Sequence, residues 1–138
     1  LVKYNNNSIS SVTSAAGFPA GAMTLISTTT ASSDSTIQIT SGIDSTYPIY
    51  VFKFINIHSS ANAFMSISGT LSIFNPSSST FVKHFITRFS SYDTGSYACD
   101  TFVAGYINTT TAITRFRFKM NTGNIDAGTI KLYGIKDS

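Results

Sequence analysis

The run at residues 48–58, PIYVFKFINIH, decides the fold class of this chain. Side chains alternate along a strand, so Tyr50, Phe52 and Phe54 fall on one face of it. Four β-branched residues fall on the opposite face: Ile49, Val51, Ile55 and Ile57. Because both faces are apolar, we expect a central strand that is covered on both sides.

The composition of the whole chain points the same way. Among its 138 residues are 22 Ser, 19 Thr and 16 Ile, but only 4 Leu, one Gln and no Glu. Strong helix formers are therefore scarce, while β-branched and aromatic residues are abundant. The length suits one domain, and the 42% apolar content is too high for a chain that stays disordered.

Charge and cysteine content exclude several classes of protein. Only 11% of the residues are charged, and a net charge of +3 from nine cations predicts no nucleic-acid partner. No run approaches about 18 apolar residues, so we predict no membrane-spanning helix. With Cys99 alone, an intrachain disulfide is impossible.

Alternating patterns predict about eight strands, spaced as in an antiparallel β-sandwich of jelly-roll type. The predicted strands cover residues 23–30, 35–40, 48–58, 64–74, 80–89, 97–107, 112–120 and 129–135. Gly69 suggests a bulge or a bend in the fourth strand. Residues 90–95 and 121–128 are predicted to be turns or loops.

Residues 1–22 differ from the rest, and we assign them to an extended N-terminal arm ahead of a β-sandwich domain at 23–138. Asparagines, small residues and Pro19 dominate the arm, without a clean apolar period. It is either a loose terminus or an arm that packs on a neighbouring subunit. The candidate assembly residues in it are Tyr4, Asn5, Asn6, Phe18 and Pro19.

Residues capable of catalysis or metal binding are few and scattered. His58 and His84 lack the spacing of a zinc site, and Cys99 would need a nearby base to act as a nucleophile. The carboxylates that could act as acids are Asp44, Asp93, Asp100 and Asp126, and all but Asp100 fall in predicted turns. We therefore predict no catalytic residue, no metal site and no cofactor, and expect a protein that is not an enzyme.

A basic and aromatic stretch, RFRFK at residues 115–119, is the most suggestive surface motif. In a strand, Phe116 and Phe118 would face the core while Arg115, Arg117 and Lys119 face outward. These cations form a solvated face or contact an acidic partner or a neighbouring subunit.

Exposed tyrosines are the other candidates for contact. Tyr92 and Tyr97 could anchor an interface or, together with Asp93, stack on and bind a sugar. The sequence thus leaves a glycan-binding module open as an alternative function.

Two segments resemble virion structural proteins of marine bacteriophages. One is YPIYVFKFINIH at residues 47–58, and the other is RFKMNTGNIDAGTIKLYGIK at residues 117–136. The Gly-Asn-Ile-x-x-Gly-Thr-x-x-Leu-Tyr-Gly-Ile pattern of the second segment is the more specific. In this chain Ser59 follows the Asn-Ile-His motif, where that family commonly has proline.

The resemblance implies a structural role on a phage particle, as a capsid decoration, head-fibre or tail-fibre protein located in the virion. It implies a homo-oligomer, with a trimer favoured, that contacts the major capsid protein or other virion proteins. A host surface glycan is a further implied partner, for a tail-fibre tip. No catalytic residues are carried over from this resemblance.

Overall fold

The apolar run at residues 48–58 forms the centre of a six-stranded sheet in the structure, a computed structural model that describes residues 23–92 and 97–136. The strands are β1 (Thr24–Thr30), β2 (Ile37–Ile39), β3 (Ile49–Ser59), β4 (Asn62–Phe74), β5 (Lys83–Tyr92), β6 (Ala98–Ile107), β7 (Phe116–Phe118) and β8 (Ile125–Ile135). No helix occurs among the described residues. The predicted all-β fold is confirmed.

The eight strands divide into a large and a small antiparallel sheet. The large sheet has the order β1-β8-β3-β4-β5-β6, and the small sheet pairs β2 with β7. The strand β3 lies between β8 and β4, with Phe52 opposite Leu132 on one side and Leu71 on the other. Its central position follows from its apolar composition, because an interior strand meets neighbours on both edges.

The hydrophobic core lies where the small sheet packs on one face of the large sheet, here called the inner face. Phe52 is fully buried there, with its ring centroid 4.9 Å from that of Phe116 and 5.2 Å from that of Phe118. Phe54 meets Phe118 edge-on at 5.1 Å. Such tilted and edge-on contacts are the arrangements that aromatic pairs prefer.

A buried tyrosine ties the turn before β3 to the core. The Tyr50 hydroxyl donates to the Asp44 carbonyl oxygen at 2.9 Å and accepts from the Asp44 amide at 3.0 Å. Burial raises the pKa of the Tyr50 hydroxyl, so it stays a neutral donor. The core therefore contains this polar group with its hydrogen bonds satisfied.

A bulge in β3 changes which residues face inward. The pairing register shifts between Phe54 and Ile57, and Asn56 adopts a positive φ of 48° there. Ile57 consequently lies in the core, not on the face of Val51 as the alternation predicts. The irregularity is thus in β3 rather than at Gly69, whose strand pairs with β5 in continuous register.

The prediction that β3 is covered on both faces holds fully for the inner face and only in part for the outer face. On the outer face Val51 is buried, and the Lys53 ammonium lies 5.1 Å from the ring centroid of the neighbouring Tyr133. Ile55 remains exposed. Among the described residues, no second layer lies over this side of the sheet.

Several strands begin or end at other residues than predicted. The strand expected at 112–120 shortens to the three residues of β7, and the loop expected at 121–128 is partly strand, since β8 begins at Ile125. The strand expected at 80–89 begins at Lys83, which leaves Phe81 exposed outside it, and continues through the expected turn to Tyr92. The strand expected at 35–40 shortens to Ile37–Ile39.

A buried lysine at the start of β5 went unrecognised in the sequence. Lys83 is fully buried, and its ammonium donates to the carbonyl oxygens of Phe81 and Thr109, each at 3.1 Å. These bonds fasten the connection after β6 to the beginning of β5. Lys83 lies two residues before the inward-facing Phe85, and residues two apart in a strand point to the same face. That spacing is the sequence signal that places Lys83 on the inner face.

Candidate contact surface

The strand β6 is the most exposed element of the large sheet. Within residues 23–92 and 97–136 it pairs with β5 only, so one edge of its backbone has no strand neighbour. Eight of its ten residues, on both faces, are exposed, and only Gly105 and Ile107 are partly buried. A ten-residue edge strand with both faces in solvent is unusual for a domain that functions alone.

Large apolar side chains concentrate on this strand and just before it. Tyr97 is 72% exposed, Phe102 66% and Tyr106 59%, while Val103 is 44% exposed on the inner face. Exposure of apolar side chains to water is unfavourable, so a group of them on one strand indicates a contact surface. We call Tyr97 and β6 together the open edge.

An apolar groove lies beside the open edge on the inner face of the sheet. Its volume is about 560 Å³, and it lies between the inner face of the large sheet, where β3, β4, β5, β6 and β8 all contribute lining residues, and the stretch from β7 to Met120. Its lining is mostly apolar, with Met65, Ile67, Leu71 and Phe89 from the sheet and Phe118 and Met120 from the opposite side.

On the outer face, an ion pair joins β5 to the open edge. Arg88 binds Asp100 with both ends of its guanidinium, Nε at 3.0 Å from Oδ1 and Nη2 at 2.6 Å from Oδ2. These hydrogen bonds lower the pKa of Asp100, so it is ionised at neutral pH. The pair lies in a shallow depression of about 440 Å³ with Ser68, Thr70 and Ser90.

The predicted basic surface lies on the small sheet. Arg115, Arg117 and Lys119 are exposed and Phe116 and Phe118 pack in the core, which is the predicted division of the two faces. Arg117 and Lys119 also line the rim of the apolar groove. Arg115 is not among the groove residues.

The predicted contact tyrosines lie at one end of the open edge. Tyr92 ends β5, its partner Ala98 begins β6, and Tyr97 directly precedes Ala98. Asp93 and the arm residues Tyr4, Asn5, Asn6, Phe18 and Pro19 lie outside the described residues. Sequence reasoning missed Phe102 and Tyr106, because alternation alone does not reveal that a strand lies at an edge.

Among the described residues, Cys99 and His84, the candidate nucleophile and base, lie far apart. Cys99 pairs with Ser91 at one end of the β5–β6 ladder and His84 pairs with Tyr106 at the other, roughly 24 Å apart at strand spacing. Asp44 lies in a turn, where its carboxylate accepts the Thr46 amide at 2.8 Å. That hydrogen bonding lowers the pKa of Asp44.

Metal ligands and membrane spans are likewise not found in the described part of the chain. No group of three or more His, Cys, Asp or Glu residues is close enough to hold a metal ion there. The same residues contain no helix that is long and apolar enough to cross a membrane. Comparisons with protein-family models, curated proteins and solved structures gave no match to this chain.

Proposed function

We propose that this chain is a non-enzymatic structural protein of a bacteriophage virion, assembled in many copies as a capsid decoration or fibre protein. The observation that carries the proposal is the open edge, an exposed strand with three aromatic side chains that are each more than half exposed. A surface of this kind favours contact with another protein over an isolated existence.

The surface chemistry supports repeated packing of subunits. Much of the outer face carries Ser and Thr hydroxyls, including Ser66, Ser68, Thr70 and Ser72 along β4. Such a face is wetted without net charge, so copies can lie close together without repelling one another. The phage assignment itself rests on the resemblance of residues 47–58 and 117–136 to virion proteins.

The copy number per purified virion, measured by quantitative mass spectrometry against the major capsid protein, tests this function. A simple ratio to the capsid protein identifies a decoration or capsid-bound fibre protein. A few copies to a few dozen identify a tail or vertex fibre. Absence from the particle contradicts the proposal.

Residues 1–22 provide a second test, because the proposal gives them the role of tether to the capsid or a neighbouring copy. Deleting them is expected to abolish particle binding while the melting temperature of the β-domain stays close to that of the full chain. Normal occupancy of the truncated protein on particles would show that the tether lies elsewhere.

Glycan binding at a tail-fibre tip is a second candidate, favoured by the polar depression on the outer face. It combines the Arg88–Asp100 pair with hydroxyls, and the exposed Phe102 ring lies directly across the ladder from Arg88. The guanidinium donors and carboxylate acceptors could hydrogen-bond sugar hydroxyls while the sugar ring lies against the Phe102 ring. A glycan array should then give a hit that Arg88→Ala removes and Arg115→Ala keeps, and an array with no hit counts against this candidate.

A further inference from the structure

We propose that the open edge pairs with the open edge of a second copy of this chain, β6 antiparallel to β6, around a twofold axis at Phe102. The two six-stranded sheets would then continue as one sheet across the interface. The inference rests on the proposed function, since assembly in many copies supplies the second chain, and it replaces the trimer that the resemblance favours with a twofold pair.

The edge itself has the properties that permit strand pairing. It presents ten residues of extended backbone, and the sequence between Ala98 and Ile107 contains no proline or lysine. Those are the residues with which proteins usually block an exposed edge. The opposite edge differs, because β1 is shorter and its pairing with β8 is interrupted by a bulge between Leu25 and Ser27.

The distribution of charge on β6 is compatible with a second copy of this chain as the partner. Asp100 is the one charged residue of β6, and Arg88 of the same chain neutralises it. With Phe102 on the twofold axis, Asp100 lies opposite Ala104 of the second copy. The two Asp100 side chains are then about 14 Å apart along the strands, farther than the Debye length of about 8 Å at physiological salt.

Size and shape also match in this register. Tyr106 lies opposite the small Ala98 of the second copy, and the two Phe102 rings meet at the centre as a cross-strand aromatic pair. From their exposed fractions, Tyr97, Phe102 and Tyr106 offer about 400 Å² per copy, or about 800 Å² for two. That is roughly half of a standard interface, and the paired backbones and Val103 supply further area.

Sedimentation of the purified protein tests the pairing without any virion. We expect a species of twice the 14.8 kDa chain mass. Val103→Lys places a charge at the edge and should weaken the dimer about tenfold or more, while Thr28→Lys on β1 leaves it intact. Circular dichroism and melting temperatures verify that both variants fold. A monomeric or trimeric wild type, or disruption by Thr28→Lys alone, overturns the proposal.

Disulfide trapping tests the register. In a Cys99→Ser background, Phe102→Cys brings two cysteines face to face at the Cα spacing of paired strands, which a disulfide can bridge. Mild oxidation should give covalent dimers of this variant and not of Thr28→Cys in the same background. Equal cross-linking of both variants contradicts the pairing. Dimers of a protein absent from virions would refute the proposed function and leave this inference standing.

Discussion

The two halves of the large sheet are built from similar strands but differ in what covers them. On the β1-β8-β3 half, the small sheet buries Phe52 completely. On the β4-β5-β6 half, Lys83 and Thr87 are buried, but the edge strand β6 is exposed along most of its length and Phe102 is in contact with solvent. Burial of large side chains therefore contributes most on the β1-β8-β3 half, whereas the β4-β5-β6 half, here called the open half, ends in an edge strand that is available for contacts with other molecules.

A pair of identical substitutions measures this difference most strongly. Phe52→Ala removes a fully buried ring and should lower the free energy of unfolding by about 3–5 kcal/mol. Phe102→Ala removes an exposed ring and should change it by less than about 0.5 kcal/mol while the protein is dilute and monomeric. Urea unfolding monitored by circular dichroism gives both values, and similar losses would show that the Phe102 ring is packed as tightly as the Phe52 ring.

Two glycines test how tightly the strands of the open half are held together. A Cβ on Gly69 would overlap the Arg88 carbonyl oxygen and lie 2.6 Å from the Phe89 ring, so Gly69→Ala should cost about 1–3 kcal/mol. A Cβ on Gly105 would lie 3.0 Å from the Phe85 ring, which can shift, so Gly105→Ala should cost less. Melting temperatures show which variant loses more stability. A larger loss for Gly105→Ala than for Gly69→Ala would contradict the close approach of β4 and β5 at Gly69.

Hydroxyl groups on the open half give a smaller expected effect. The Thr87 hydroxyl is buried and donates to the Thr70 carbonyl oxygen at 2.8 Å. Thr87→Val should therefore cost about 1 kcal/mol. Thr101→Val, at an exposed position of the same face, is the matched control and should leave the midpoint of urea unfolding unchanged. Equal effects would mean that the Thr87 hydrogen bond contributes nothing.

The exposed Arg88–Asp100 pair should give the smallest effect, visible through its pH dependence. Because the folded-state pKa of Asp100 is lowered, its contribution to stability is present above the unfolded pKa of about 4 and is lost as pH falls through the lower folded pKa. Asp100→Asn should thus melt slightly below wild type at pH 6, with the difference vanishing near pH 2. A difference that persists in acid would exclude this ion pair as its cause.

Alternation along single strands was enough to predict much of the fold. It gave the buried face of β3 up to Phe54 and the outward direction of Arg115, Arg117 and Lys119, since each depends on a period of two. It did not give the inward turn of Ile57, because the bulge depends on Asn56 adopting a left-handed backbone conformation opposite β4.

The contact surface was less predictable for a related reason. The Phe102 and Tyr106 side chains lie in a regular strand pattern, and their exposure depends on β6 being the last strand of the sheet. Strand order and the reach of the small sheet are properties of tertiary pairing. Tyr97 was predicted because it borders a loop, where exposure is the usual state.

Hydrogen–deuterium exchange, followed by peptide mass spectrometry at low and high protein concentration, tests the difference between the halves most directly. We predict that Ala98–Ile107 exchanges quickly in dilute protein and becomes protected as concentration rises, while Ile49–Ser59 stays equally protected throughout. Exchange of Ala98–Ile107 that is slow at every concentration, or that never responds to concentration, would contradict the account.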